Sequence, residues 1–327
     1  MGRAYKEKFS GKKVLLICAD LIEPLAKLDD FYSEVMPFNR NKVKSDFGYS
    51  WNFISNLSSL ESEFLYFPVL QRNRIGDMFS WLIKAKTKIA AISNNKGTVL
   101  TSLYDKIYTK LIEMPYNDSE IIGIENFTRG CISQDYRYSL LKQNLRYDSN
   151  IVPNGEKYIV IAISASIIEK IWPMRHFAKV INSLPKGYRI YITGAGCLDS
   201  ELYDQLYDLI SNKEYVVNMI NRTSVLDLFL LISKSCLVIG NDSAAVHIAA
   251  ANHVPSVCLL HGAHFGRFLP YPDSLPYKEY HPHSIYHMMD CYGCGYNCSK
   301  GSEKTFKCLE KVSPEEVIPE VLKVLLG

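Results

Sequence analysis

Short apolar runs alternate along this chain with longer stretches whose apolar residues recur every three or four positions. In the N-terminal half, Lys13–Ala19, Glu34–Phe38, Phe64–Val69 and Thr87–Ile92 read as strands, and Asp46–Leu60 and Asp77–Lys86 carry helical spacing. A polar stretch, Asp148–Gly155, reads as an interdomain linker. The second cycle is more regular, with strands at Tyr158–Ile163, Tyr188–Thr193, Tyr215–Val217, Cys236–Ile239 and Ser256–Leu260. Helices are expected at Met174–Leu184, Leu198–Ser211, Ser224–Ser233 and Ser243–Ala251. A last one, Ser313–Leu326, opens with a serine cap, a proline at its first position and acids in its first turn. Strands alternating with helices predict parallel sheets and an α/β fold. The expected organisation is two α/β domains, 1–150 and 151–327, the second a doubly wound sheet with ligands beyond the carboxyl ends of its strands.

Composition narrows the field little. The chain has 327 residues, 47% of them hydrophobic and 22% charged, which suits two ordinary globular cores. A net charge of +3 is too mild to indicate nucleic acid as a partner. No apolar run reaches the ~18–20 residues of a membrane span. Residues Met1–Lys13 carry Arg3, Lys6, Lys8, Lys12 and Lys13 against Glu7, with no signal-peptide core behind them. The expected location is therefore the cytoplasm. The basic start offers a peripheral contact with the inner face of the cell membrane, although such a segment is more often a solvated helix.

Chemistry concentrates in the second half, where all eight histidines lie between His176 and His287. After the strand ending at Ile239 come Asn241, Asp242 and Ser243, and a helix of small residues begins at once. The free amides of Ser243, Ala244 and Ala245, with the helix dipole behind them, suit a diphosphate. His247 lies one turn on and supplies a further donor. Alone, the stretch reads equally well as an ordinary capped helix with a packed histidine. Ser164 and Ser166 after one strand, Lys170 leading into a helix, and Thr193-Gly194 at a third strand end place more hydroxyls and a cation at the same sheet edge.

Together these segments resemble glycosyltransferase family 9, the ADP-heptose:lipopolysaccharide heptosyltransferase family. The family's K-x-W-P, T-G-G and D/E-T-G-x-x-H segments have counterparts here. They are Lys170-Ile-Trp172-Pro173, Thr193-Gly194-Ala195 and Asp242-Ser243-Ala244-Ala245-Val246-His247. Ala249-Ala250, Pro255-Ser-Val257 and His261-Gly262 through Arg267-Phe268 complete the series. The resemblance implies a GT-B architecture, two facing Rossmann-like doubly wound domains, with a nucleotide-sugar donor held by the second. That donor site would use Ser164, Ser166, Lys170, Thr193, Gly194, Asn241, Asp242, Ser243, Ala244, His247 and Arg267. It also implies inverting transfer without a metal cofactor, of a heptose from ADP-heptose to a lipopolysaccharide or other surface glycan. Ala244 departs from the family glycine.

The first half matches less well. Its register suggests that the family's first strand and the aspartate after it are missing, and that Asp20 ends a second strand. Asp77, in a Gly76-Asp77 pair expected on a loop, is then the candidate general base and Asp20 the alternative. At least as natural a reading of Asp77 is a helix N-terminal acid. Cys291, Cys294 and Cys298, with Cys308 further on, are compatible with a structural tetrahedral Zn²⁺, though not at a standard ribbon spacing. An iron–sulfur cluster is a further option, and reduced packing cysteines are the default. Rival functions are a non-catalytic binder of nucleotide or glycan, a sugar-nucleotide epimerase and a metal-binding interaction protein.

Overall fold

The structure, a computed structural model, describes residues 2–92, 103–114, 119–139, 147, 149–153, 155–300 and 304–326. The chain divides into two compact units, Met1–Tyr138 and Ser139–Gly327. The division falls before the polar stretch taken as the linker, of which Asp148 and Asn154 lie outside the described residues. Side-chain anchors explain its place. Glu125 accepts the backbone N–H of Tyr138 at 2.8 Å within the first unit. Ser149 donates to Asp227 at 2.6 Å within the second.

The first unit opens with α1 (Gly2–Lys8), β1 (Leu15–Ala19), α2 (Glu23–Leu28) and β2 (Glu34–Phe38). It continues through α3 (Arg40–Ser45), α4 (Phe47–Ser59), β3 (Glu61–Phe67), α5 (Arg74–Leu82), β4 (Lys84–Ala91), β5 (Lys110–Ile112) and α6 (Glu120–Cys131). β1 and β2 form one parallel pair, and β3-β4-β5 a second parallel sheet. Phe53 and Leu57 of α4 and Phe79 of α5 bury a core that includes Ile17 of β1, Met36 and Phe38 of β2 and Leu65 of β3.

The second unit runs β6 (Tyr158–Ala162), α7 (Met174–Ser183), β7 (Arg189–Thr193), α8 (Cys197–Leu209), β8 (Val216–Asn218), α9 (Val225–Ser233), β9 (Leu237–Asn241) and α10 (Ala244–Ala251). It ends with β10 (Ser256–Leu259), β11 (His283–Ile285), α11 (Lys307–Glu310) and α12 (Pro314–Leu326). Its six strands lie in the order β8-β7-β6-β9-β10-β11, all parallel. In chain order that is 3-2-1-4-5-6, the doubly wound Rossmann arrangement. β6 and β9 are buried throughout, as strands covered by helices on both faces must be. Trp172, fully buried, anchors the face below α7 and α12, its indole N–H donating to the Val312 carbonyl at 3.0 Å.

Candidate functional site

In an open α/β sheet the crevice lies where the strand order reverses, outside the carboxyl ends of the strands. Here that point falls between β6 and β9, and the segments following β6, β9 and β10 converge on it. Asn241, at the end of β9, makes the convergence possible. Its fully buried side-chain oxygen accepts the Trp172 backbone N–H at 2.9 Å, and its amide nitrogen donates to the Ile163 carbonyl at 2.9 Å. The loop after β6 is thereby latched to β9. Expected as a ligand contact, Asn241 spends its side chain on backbone groups because both flanking strands bury it.

The latch brings Lys170 beside Asp242, with Nζ 3.7 Å from Oδ2. Asp242 is 7% exposed. His261, which follows β10 and is fully buried, sets Nε2 3.3 Å from the same Oδ2. Its Nδ1 accepts the Ala263 N–H at 3.1 Å, which leaves Nε2 as the ring nitrogen nearer the carboxylate. His247, one turn into α10, places Nε2 3.9 Å from Oδ1 and Nδ1 2.7 Å from the Tyr271 hydroxyl. Burial alone would raise the Asp242 carboxyl. The His247 and His261 rings beside it and the charge of Lys170 overcome this and hold the group well below the usual carboxylate range.

Beside this cluster α10 begins. Ser243, its N-cap, is extended and makes no side-chain capping bond, and Ala244 behind it is exposed. The first-turn amides thus have no side-chain partner of the usual kind and carry the positive end of the helix dipole. Arg267 lies on the segment after β10, its guanidinium over the Phe268 ring at 4.8 Å. Burial, then Arg267, His261 and Lys170, lower the proton affinity of neighbouring His264. The site therefore gathers cations and N–H donors around one buried carboxylate, an arrangement suited to an anionic ligand.

Ser164 and Gly194 form a separate group around Asp199, a residue that the sequence did not single out. Ser164 donates to the Asp199 carboxylate, which also accepts the Ala195 N–H at 2.7 Å. A Cβ on Gly194 would meet Asp199 Oδ2 at 2.7 Å and Ser164 Oγ at 2.8 Å, so only glycine fits. Thr193 is buried, and Ser166 is exposed on the loop after β6.

Among the described residues no group of three or more His, Cys, Asp or Glu could hold a metal ion, and all nine cysteines are free. Cys308 is buried at the start of α11 and accepts the Gly262 N–H at 3.3 Å. The segment carrying Cys291, Cys294 and Cys298, read from the sequence as offering ligands for a structural Zn²⁺ together with Cys308, packs against the turn at Gly262. Tyr292 lies against Gly262, where an added Cβ would meet the ring at 2.4 Å. Gly293 and Gly295 donate to the Gly262 and Ala263 carbonyls at 2.8 and 3.0 Å. The cysteine-bearing segment is thus the floor under His261.

In the first unit, Asp77 sits in the first turn of α5 rather than on a loop, 5% exposed. It pairs with Arg72 Nε at 3.2 Å and accepts the Tyr108 hydroxyl at 2.7 Å. Burial raises its carboxyl against the opposing pull of Tyr108 and Arg72. Asp20 is exposed directly after β1, the first strand among the described residues. Its carboxylate accepts from the Leu21 N–H at 2.9 Å and from the Asn39 side chain at 2.6 Å. The basic start folds back on its own unit, Lys6 reaching the Asp30 carbonyl at 3.1 Å and Lys8 the Ile132 carbonyl at 2.8 Å. No helix among the described residues is long and apolar enough to cross a membrane.

Residues 126–280 match the model of glycosyltransferase family 9 (heptosyltransferase), bearing out the resemblance read from the sequence. Lipooligosaccharide heptosyltransferase 2 of Campylobacter jejuni is 27% identical over 177 residues, 53% of each chain. The chain thus spans about half the length of the curated relatives it matches. Two solved structures share the fold across nearly the whole chain. Family 9 glycosyltransferase from Veillonella parvula superposes with a TM-score of 0.76 at 17% identity, covering 99% of this chain and 92% of its own. Escherichia coli ADP-heptose lipopolysaccharide heptosyltransferase II gives 0.70 at 14% identity, covering 99% and 93%. The architecture is the GT-B type expected from the sequence.

Proposed function

We propose that this chain, whose residues 126–280 form a glycosyltransferase family 9 domain, transfers a sugar from a nucleotide-diphosphate donor to a surface-glycan acceptor. The observation that carries the reading is the cluster of Lys170, His247 and His261 around Asp242, set beside the uncapped start of α10 at the β6–β9 switch point. The donor is ADP-heptose and the acceptor a lipopolysaccharide, by analogy with the heptosyltransferases it is similar to. The chain acts on the cytoplasmic side of the membrane.

In this reading the donor diphosphate lies against the first-turn amides of α10, with Lys170 and His247 as charged or hydrogen-bonding partners. Transfer is one displacement with inversion. The acceptor hydroxyl attacks the anomeric carbon, the bond to the diphosphate breaks, and the hydroxyl proton passes to a carboxylate base. Protein cations and amides stabilise the departing diphosphate without a divalent ion. Asp20 suits the base better than Asp77, because it is exposed at the carboxyl end of a strand whereas Arg72 and Tyr108 occupy Asp77.

Calorimetry with ADP and product analysis with a panel of nucleotide sugars test this reading. Lys170→Ala and His247→Ala each weaken ADP binding by about 1.5–3 kcal/mol. Unchanged affinity in both would place the phosphates elsewhere.

A further inference from the structure

We propose that the outward face of α3 and α4 docks onto an anionic lipid bilayer. α4 uses Phe53 and Leu57 for the core, whereas Phe47 and Trp51, one turn apart, project outward with 81% and 65% of their surface exposed. Their rings stack at 6.4 Å, so the pair forms one apolar ridge. Leu21 and Ile22, after β1, are exposed as well. Among the described residues nothing covers these four large apolar side chains.

Charge decides the occupant. α3 presents Arg40, Lys42 and Lys44, all exposed. The intervening acid, Asp46, is engaged as the cap of α4, accepting the Tyr49 N–H at 2.9 Å. Lys42 Nζ lies 5.8 Å from the Tyr49 ring centroid, which holds this cation next to the aromatic turn. A second copy meeting this face about a two-fold axis would set cation against cation. Anionic headgroups instead neutralise the lysines while the aromatic ridge enters the interfacial layer, where Trp and Phe are at home.

The face is also built rigidly. Asn39 caps α3 through its side-chain oxygen, accepting from Asn41 and Lys42 at 3.0 and 2.9 Å, while its amide nitrogen holds Asp20. Ser50 donates to the Val43 carbonyl at 2.9 Å and joins the two helices. Docking would thus leave Asp20 at the edge of the bound surface, where a lipid-linked acceptor emerges. That consequence rests on the proposed function, whereas the docking itself needs neither donor nor turnover.

The test is co-sedimentation of the full chain with phosphatidylcholine vesicles, with and without phosphatidylglycerol. The expected result is binding to the anionic vesicles only, lowered about tenfold or more by Lys42→Glu with Lys44→Glu. Phe47→Ser with Trp51→Ser should produce a loss of about the same size. Circular dichroism and ADP affinity, which these surface positions leave unchanged, exclude misfolding as the cause. Absence of binding to anionic vesicles overturns the proposal. So does binding that the aromatic double variant leaves intact, which would mark simple charge adherence, or a lipid-free dimer that the same variant dissolves. Any of these results would leave the ADP-binding reading standing.

Discussion

Asp242 is held ionised by neighbours that each need it in return. Without the carboxylate, Lys170 keeps a buried charge with no counter-ion, so Asp242→Asn should cost about 3 kcal/mol at neutral pH. The folded state depresses this carboxyl, so its contribution is complete above the unfolded value of about 3.9. It is lost as pH falls below that value toward the depressed one. Thermal melts of parent and variant should therefore converge in acid, and a gap constant with pH would contradict the assignment. A second prediction concerns the base. Asp20→Asn should lower kcat about 10²–10⁴-fold with donor affinity preserved. Asp77→Asn should act through the stability of the α5 region, and normal stability with lost turnover would reverse the two roles. Lys170, Asp242 and His247 were legible in the sequence because each follows a strand end at a spacing that fixes its side. His261 was read only as part of a matching loop, without a role, and Asp199 was not read at all. Their partners lie across β10 to β9 and β7 to β6, and only tertiary register brings them together.

At the scale of elements, the second unit was read nearly strand for strand, because fully buried parallel strands are continuous apolar runs. β11 escaped notice, being three residues, His283–Ile285, at a sheet edge with no apolar run to mark them. α5 was placed too late in the chain. Asn73 caps it by accepting the Gly76 N–H at 3.0 Å, and Gly76 lets Phe67 pack against the helix where a Cβ would stand 2.3 Å from the ring. That capping turns an expected loop aspartate into a buried helical one. The turn at Gly262 offers the matching test in the second unit. Gly262→Ala pushes Tyr292 off its seat and should destabilise by about 1–3 kcal/mol, with a parallel loss of ADP affinity as His261 shifts. Urea melts and calorimetry on the same preparation check both, and unchanged values would remove Tyr292 as the floor of the site.

For the whole molecule, the family match and the buried cluster both lie in or largely in the second unit, so donor binding should survive treatments that disturb the first. Turnover should also continue in EDTA, since among the described residues no carboxylate cluster stands near Asp242 to hold Mg²⁺. Activity lost to EDTA and restored by Mg²⁺ or Mn²⁺ would refute this. The three tryptophans divide unevenly, and that has a practical consequence. Trp51 and Trp81 are exposed in the first unit, whereas Trp172 is fully buried in the second, one hydrogen bond away from Asn241. With the first two changed to phenylalanine, the remaining indole becomes an optical reporter of the second unit alone. Its emission should be blue and shielded from acrylamide in the native protein, and should shift red when the Asn241 latch opens. Comparing its denaturation curve with the far-ultraviolet signal of the whole chain would show whether the two units melt as one body or in turn.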